Sequence, residues 1–422
     1  MRARQLGVAA CIAVLALGAA ACGSSKKKSS SGGSTTSSGG TVDIYSSLPL
    51  QGASKDQTGA MVQGIKLALK QAGNKAGNFT VNYQPLDDST AQVGNWDPGQ
   101  TAKDARKAAQ DSKTVYYIGE FNSGASAISI PILNQAAIPQ VSPANTYVGL
   151  TTNEAGSAPG EPQKYYPTGK RTYLRIVPRD TIQAAALLTT MKSDGCTKVA
   201  VANDKDTYGA GLAKLLVLQA PKVGVTITGN TGIEKTAPNF RAYASSIKAK
   251  GADCFIFSGV TANGAVQVNK DVASAIPSIK LYGPDGTCES GFTNPAKHGI
   301  PAALGKQFVC TVATQDLKAY PGGVKFLADF KAAYGNSNPD PYAIYGYEGM
   351  KLGLDTIAKL GAKGNDKSAV LAALFATQNR NSVLGTYGFD KNGDTTLTDY
   401  GLYKVGSDGN PVFFKTIKQS GG

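Results

Sequence analysis

Hydrophobic positions along this chain fall into two alternating patterns. Short β-branched or aromatic runs are each followed by a longer stretch whose apolar residues share one helical face. Residues 42–48, 79–86 and 114–118 read as strands, with helices at 59–72 and within 97–111 between them. The first helix carries Met61, Ile65, Leu67, Ala68 and Leu69 on its apolar face. Such wiring predicts a parallel sheet covered by helices on both faces. The stretch around which the rest is organised is 114–151. Its strand 114–118 is bounded by Gly119, and Ser123 is placed to cap a helix whose first turn holds Gly124, Ala125 and Ser126. Pro131 is expected to limit the regularity of that helix. A strand at 138–141 then enters the small polar turn Ser142-Pro143-Ala144-Asn145-Thr146. Two such turns after neighbouring strands put hydroxyls and free amides at one sheet edge, a place to hold a small anion. Taken singly, either turn is an ordinary connection.

An irregular segment, 151–172, leads to a strand at 173–177 and a second series. Helices at 181–193, 209–220, 239–250 and 262–274 alternate with strands at 198–202, 223–228, 253–257 and 280–282. The strand 253–257 turns through 258–264 into a helix much as 114–118 does, so two similar lobes are expected to face one another. With a flavodoxin-like strand order, the crevice of the first lobe falls between its first and third strands, at loops 52–58 and 120–125. After a strand at 307–313, helices at 323–334, 342–360 and 367–377 have little sheet of their own and are expected to rejoin the first lobe. Strands near 385–389, 400–405 and 412–416 end the pattern.

With 422 residues, 41% of them hydrophobic, the chain has ample material for two cored domains. Its net charge of +14 is dispersed as single lysines, and the densest run is Lys26-Lys27-Lys28. A basic stripe interleaved with aromatics is missing, which argues against nucleic acid as a partner. Arg2 and Arg4 precede an apolar run, 6–21, shorter than the ~20 residues that span a bilayer comfortably. It ends LALGAAAC, which resembles a bacterial lipoprotein signal with Cys22 as the lipidated residue, although Ala19 stands where leucine is usual. Residues 1–21 are thus read as a signal peptide and 22–40 as a Ser/Gly/Lys tether. Export permits disulfides among Cys196, Cys254, Cys288 and Cys310, for which three pairings are open. No CxxC spacing occurs and His298 is the only histidine, so neither a metal nor a cofactor is expected. The chain has no GxSxG, HExxH or GxxxxGK[ST] run, and Asp87-Asp88 and Asp204/Asp206 read as loop acids, so an enzyme is not expected.

Five motifs occur in order: IGEFNSGAS, QVSPANTY, YLRIVPRD, VANDKDTYGAGLA and LYGPDG. Together they make the chain resemble a type I periplasmic binding protein of the branched-chain amino acid (leucine/isoleucine/valine) transport group, over nearly everything after residue 40. The resemblance implies an α/β fold of two doubly wound parallel-sheet lobes joined by three crossovers. The first lobe would comprise 41–173 plus 314–385, the second 174–313 plus 386–418. It also implies that Ser123, with Asn122 beside it, and the turn residues Ala144 and Thr146 hold a ligand's carboxylate and ammonium. Tyr208 would close from the second lobe, and Asp285 would pair with the ammonium. Gln57 and Thr261 stand where the family has aromatics, so the side-chain end of the pocket is expected to be larger or more polar. Read as residues alone, Asp285 equally suits a Pro-Asp-Gly turn, and Tyr208 a packed aromatic.

The implied function is an extracytoplasmic receptor, monomeric and lipid-anchored to the bacterial membrane, that delivers an amino acid or related small solute to an ABC permease. A ligand sensor on the same fold is the alternative. Cys196 and Cys254 sit at the starts of neighbouring second-lobe strands and Cys288 and Cys310 flank one insertion. The expected pairing is therefore Cys196–Cys254 and Cys288–Cys310.

Overall fold

The computed structural model describes residues 39–418, so the signal segment, Cys22 and most of the tether lie outside the described residues. Two sheets carry the fold. The first runs Lys75–Ala76, Phe79–Asp87, Thr41–Leu48, Thr114–Ile118, Gln140–Ser142, Tyr173–Arg175, parallel except for its two-residue edge. In the second, Thr226–Gly232, Lys198–Asn203, Cys254–Ser258, Lys280–Gly283 and Phe308–Val312 are parallel. Tyr400–Val405 and Pro411–Ile417 then add on antiparallel. Each parallel set is ordered second, first, third, fourth, fifth along the chain. The strand order therefore reverses beside Thr114–Ile118 in one sheet and beside Cys254–Ser258 in the other. Both strands are buried along their whole length, which is why they read as unbroken apolar runs rather than as alternations.

The late helices return to the first sheet. Helix Ala343–Lys359 lies against Lys55–Gln71 with backbone touching backbone. A Cβ at Gly64 would sit 2.2 Å from the Ala343 carbonyl oxygen, and one at Gly346 would sit 2.2 Å from that of Met61. Glycine at both crossing points is what lets these helices approach.

Several elements depart from the expected pattern. Helix Lys55–Gln71 begins a turn early, with Thr58 N–H donating to the Ser54 carbonyl and Asp56 in the first turn, so Gln57 is helical and 1% exposed. Ser123 is the first residue of helix Ser123–Gln135 rather than its cap; Asn122 takes the cap position without a side-chain bond. Pro131 lies inside that helix, where the buried anchors Ile130 and Leu133 hold it against the loss of one backbone bond. The strand expected at 223–228 is displaced to Thr226–Gly232, because Pro221 opens a 3₁₀ turn that Gly224 closes at φ 69°. Helix Val266–Ala275 is preceded by an irregular wide turn, Thr261–Ala265, containing Gly264 at φ 85°. Gly385–Tyr387 pairs with Arg380–Ser382 as a separate hairpin. Cys196 is bonded to Cys254 and Cys288 to Cys310. The only cluster of metal-type ligands among the described residues, Cys196, Asp253 and Cys254, is thereby taken up by a disulfide.

A fully buried arginine ties three distant segments together. Arg175 Nε donates to Asp394 Oδ1 at 2.7 Å, and its Nη atoms donate to the carbonyls of Asn145 (3.2 Å) and Tyr147 (2.8 Å) and to Thr151 Oγ1 (2.5 Å). Breaking a buried pair from one side strands the other charge and typically costs ~3–5 kcal/mol. Because Arg179 also reaches Asp394 at 3.2 Å and keeps part of that charge paired, Arg175→Met is expected to lower the unfolding free energy by about 3 kcal/mol, the lower end of that range, in urea titration. A loss under about 1 kcal/mol would show that the pair holds nothing in place.

Candidate functional site

Where the strand order reverses, the two sheets face each other across a small cavity. First-lobe loops contribute Trp96, Phe121, Asn122, Ser123, Gly124, Ala144 and Thr146 to its wall. From the other side come Asp204, Asp206, Tyr208, Val260, Asp285 and Gly286, and Tyr342 reaches in from the late helices. The free space is about 30 Å³, the scale of a water or two. The lobes are thus nearly shut on one another.

The first-lobe half is built by two loops that knit together. Ser142 Oγ donates to the Glu120 carbonyl (2.8 Å) and accepts from the amides of Ala144 (3.1 Å) and Asn145 (2.8 Å). Asn145 Nδ2 donates to the Phe121 carbonyl at 2.8 Å. These bonds fix the start of helix Ser123–Gln135, whose first amides have no intrahelical partner. Asn122 Oδ1 is buried there without a partner. Gly124 is required for room, since a Cβ would lie 2.6 Å from the Trp96 ring. The wall is an oriented set of small polar groups with a positive dipole end.

The second-lobe half is acidic. Asp204 Oδ2 accepts from Val260 N–H (3.1 Å) and Asn263 Nδ2 (2.8 Å), joining the loops that follow strands Lys198–Asn203 and Cys254–Ser258. Burial and neighbouring Asp206 push its carboxyl up to about 6. Asp285 is buried at the centre. Its Oδ1 accepts from the Tyr208 hydroxyl and from Gln183 Nε2 (2.8 Å), and its Oδ2 from the Tyr342 hydroxyl (2.8 Å). Burial raises its pKa and these three donors pull it back. Behind it lies Asp180, fully buried with neither carboxylate oxygen hydrogen-bonded, and held well above the usual range by burial and by Asp285. Asp206 is more exposed and approaches Lys235 at 3.6 Å on its outer side.

Two further contacts cross the cleft at its mouth. Ser54 Oγ donates to Glu289 Oε1 at 2.9 Å, and Lys297 pairs with Asp56 at 2.6 Å. Glu289 is buried with its second oxygen unpartnered, and burial pushes its carboxyl up to about 7.

Six of the residues singled out from the sequence meet at this cavity: Asn122, Ser123, Ala144, Thr146, Tyr208 and Asp285. The Ala144 amide, however, is already committed to Ser142. Gln57 and Thr261 are not among its walls. Gln57 is carried inward by the early helix start, and Thr261 Oγ1 donates to the Gly286 carbonyl at 3.3 Å, beside an outer groove with Gly52, Ala53 and His298. Sequence reasoning missed Trp96, Phe121, Gln183 and Tyr342. Phe121 lies inside the motif IGEFNSGAS, and Trp96, the only tryptophan, immediately precedes the Asp97-Pro98 helix start. Nothing local marks Tyr342, which reaches Asp285 across 57 residues.

The sequence profile of the periplasmic binding protein family matches residues 42–410, and the chain belongs to that family of solute-binding proteins. It is 24% identical over 312 residues to an amino acid binding protein of Pseudomonas aeruginosa, covering 73% of this chain and 76% of the relative. To a Leu/Ile/Val-binding protein homologue of Brucella abortus it is 23% identical, covering 87% and 91%. Among solved structures, a leucine-binding protein from Thermotoga maritima superposes with a TM-score of 0.75 at 21% identity, over 89% of this chain and 98% of that one. A Rhodopseudomonas palustris solute-binding protein in complex with benzoate gives 0.72 at 19%, over 89% and 96%. The fold is therefore that of the type I periplasmic binding proteins. Among the described residues, no helix is long and apolar enough to cross a membrane.

The Glu289 contact has a pH signature. A carboxyl whose folded pKa is raised from 4.5 to about 7 adds stability that is present below 4.5 and is lost as pH rises through 7. Glu289→Gln removes that dependence. Unfolding free energies measured between pH 4.5 and 7 should fall less steeply for the variant than for the parent; parallel curves would contradict the assignment.

Proposed function

We propose that this chain is a receptor that captures an amino acid or related small zwitterion between its lobes and delivers it to an ABC permease. The observation that carries the reading is the polarity of the cavity. The unpaired amides of a helix start stand on one side and a buried carboxylate, Asp285, on the other. A zwitterion satisfies both ends at once. Leucine and benzoate, bound by two of the structural relatives, share a carboxylate and differ elsewhere. That fits a carboxylate end held by the first lobe and a variable end facing the second.

The expected lobes, 41–173 plus 314–385 and 174–313 plus 386–418, agree with the two sheets except at their edges, where the first sheet runs on through Arg175 and Gly385–Tyr387 stays with its hairpin partner Arg380–Ser382. Ligand contacts made by both lobes together would favour closure about the three crossings between them. Asp285 and Asp204 each serve as acceptors for several protein donors, which suits a fixed electrostatic wall better than proton transfer. We further read Cys22 as a lipid anchor and 22–40 as its tether, holding a monomeric receptor at the outer face of the membrane.

Mass spectrometry of whatever is released on denaturing the purified protein tests the class of solute. Asp285→Asn tests the site. Removing one member of a buried charge-assisted pair typically costs ~2–5 kcal/mol. The released ligand should therefore bind the variant at least about tenfold more weakly by calorimetry, with an unchanged thermal melt. Equal affinities would mean that Asp285 only shapes its turn and neighbours.

A further inference from the structure

The lining of the cavity has a composition of its own, whose meaning rests on the ligand being a zwitterion. Four of its walls are aromatic: Trp96, Phe121, Tyr208 and Tyr342. Phe121 and Tyr342 meet at 72° with ring centroids 6.4 Å apart, so they form two sides of a corner. Tyr208 and Tyr342 both donate their hydroxyls to Asp285, which aims their rings outward from one carboxylate. Lysine and arginine are absent from the wall. Asp285 and Asp180 behind it have no ion-pair partner among the described residues, and the nearby Arg175 is committed to Asp394 at 2.7 Å. Buried charges are ordinarily paired, so this end of the cavity lacks a cation.

The hydrogen-bonding capacity does not match the charge. A carboxylate has about four acceptor sites, and three of those on Asp285 are already filled by the protein. A primary ammonium brings three N–H donors, while Asp285 has one acceptor site left and the other acids of the lining, Asp204 and Asp206, are engaged by Val260, Asn263 and Lys235. An alkylated ammonium brings full charge and no such demand, and aromatic faces attract it through their quadrupoles. We propose that Trp96, Phe121, Tyr208 and Tyr342 form an aromatic cage for a methylated ammonium, and that the ligands are betaine-type zwitterions, a carboxylate and a trimethylammonium on one small skeleton.

The single tryptophan makes the test direct. The full chain, unfolded to release bound solute and refolded, is titrated with glycine betaine, its carbon isostere 3,3-dimethylbutanoate (which keeps the carboxylate and lacks the cationic charge), glycine, leucine and benzoate. Trp96 fluorescence and calorimetry report binding. Glycine betaine is expected to bind at least about tenfold more tightly than the isostere and than either amino acid. Trp96→Leu, followed by calorimetry alone, should erase most of that preference while its thermal melt stays put. Leucine or glycine binding more tightly than the betaine overturns the cage and leaves the solute receptor standing. Equal binding of the betaine and its isostere overturns the cage as well, because the rings would then not be reading charge. If none of the five binds, while mass spectrometry also finds no released solute, both this proposal and the receptor reading fail.

Discussion

The buried pair between Arg175 and Asp394 sets the frame within which the site exists. Arg175 stands at the end of the last strand of the first sheet, where the chain leaves for the second series. Its guanidinium gathers the carbonyls of Asn145 and Tyr147 and the hydroxyl of Thr151, so it fixes the turn that carries Ala144 and Thr146. Asp394 comes from a late return of the chain, and Arg179 also reaches it at 3.2 Å. The planar fork of arginine suits this position because it serves several acceptors at fixed angles; a lysine would offer one point charge. A charge removed from water at this cost is tolerated because nearly every donor finds a partner.

Around that anchor the cavity divides its electrostatics by lobe. The first lobe offers amides and hydroxyls at a helix start, the second offers carboxylates. Asp285 is where the two halves meet, since Tyr208 and Gln183 approach it from the second series and Tyr342 from a helix packed on the first sheet. Each donor lowers the energy of the charged form against the penalty of burial, and Asp285 in turn raises the pKa of Asp180 behind it. An acid held in that balance responds strongly to a cation placed beside it. Asp204, tied to Val260 and Asn263, is by contrast part of the scaffold of the wall although it touches the cavity.

Much of this was readable in the order of residues. Strands such as Thr114–Ile118 and Cys254–Ser258 are buried on both faces, so they appear as uninterrupted apolar runs, and small polar turns follow them where the sheet edge opens. Asn122, Ser123, Thr146, Tyr208 and Asp285 sit in those turns or at the helix starts they lead into, so motif and position together place them at the cavity wall. Gln57 lies off the cavity because Ser54 and Asp56 start the helix a turn before the apolar pattern does. Thr261 does not line the cavity, because the wide turn that holds Gly264 sets its hydroxyl on the Gly286 carbonyl beside the outer groove.

What the sequence determined by itself was whatever depends on neighbours a few residues apart: the βα alternation, the late helices needing another sheet, and the polar turns at strand ends. Hydrophobic periodicity and backbone stereochemistry are local, so they survive in one dimension. The tertiary structure alone decided which aromatics wall the cavity, which donors fill Asp285, and that Asp180 lies unpaired behind it. Those facts depend on contacts between residues as far apart as Gln183 and Asp285, or Arg175 and Asp394. Their strength comes from exclusion of water, and burial on that scale is a property of the packed lobes rather than of any segment.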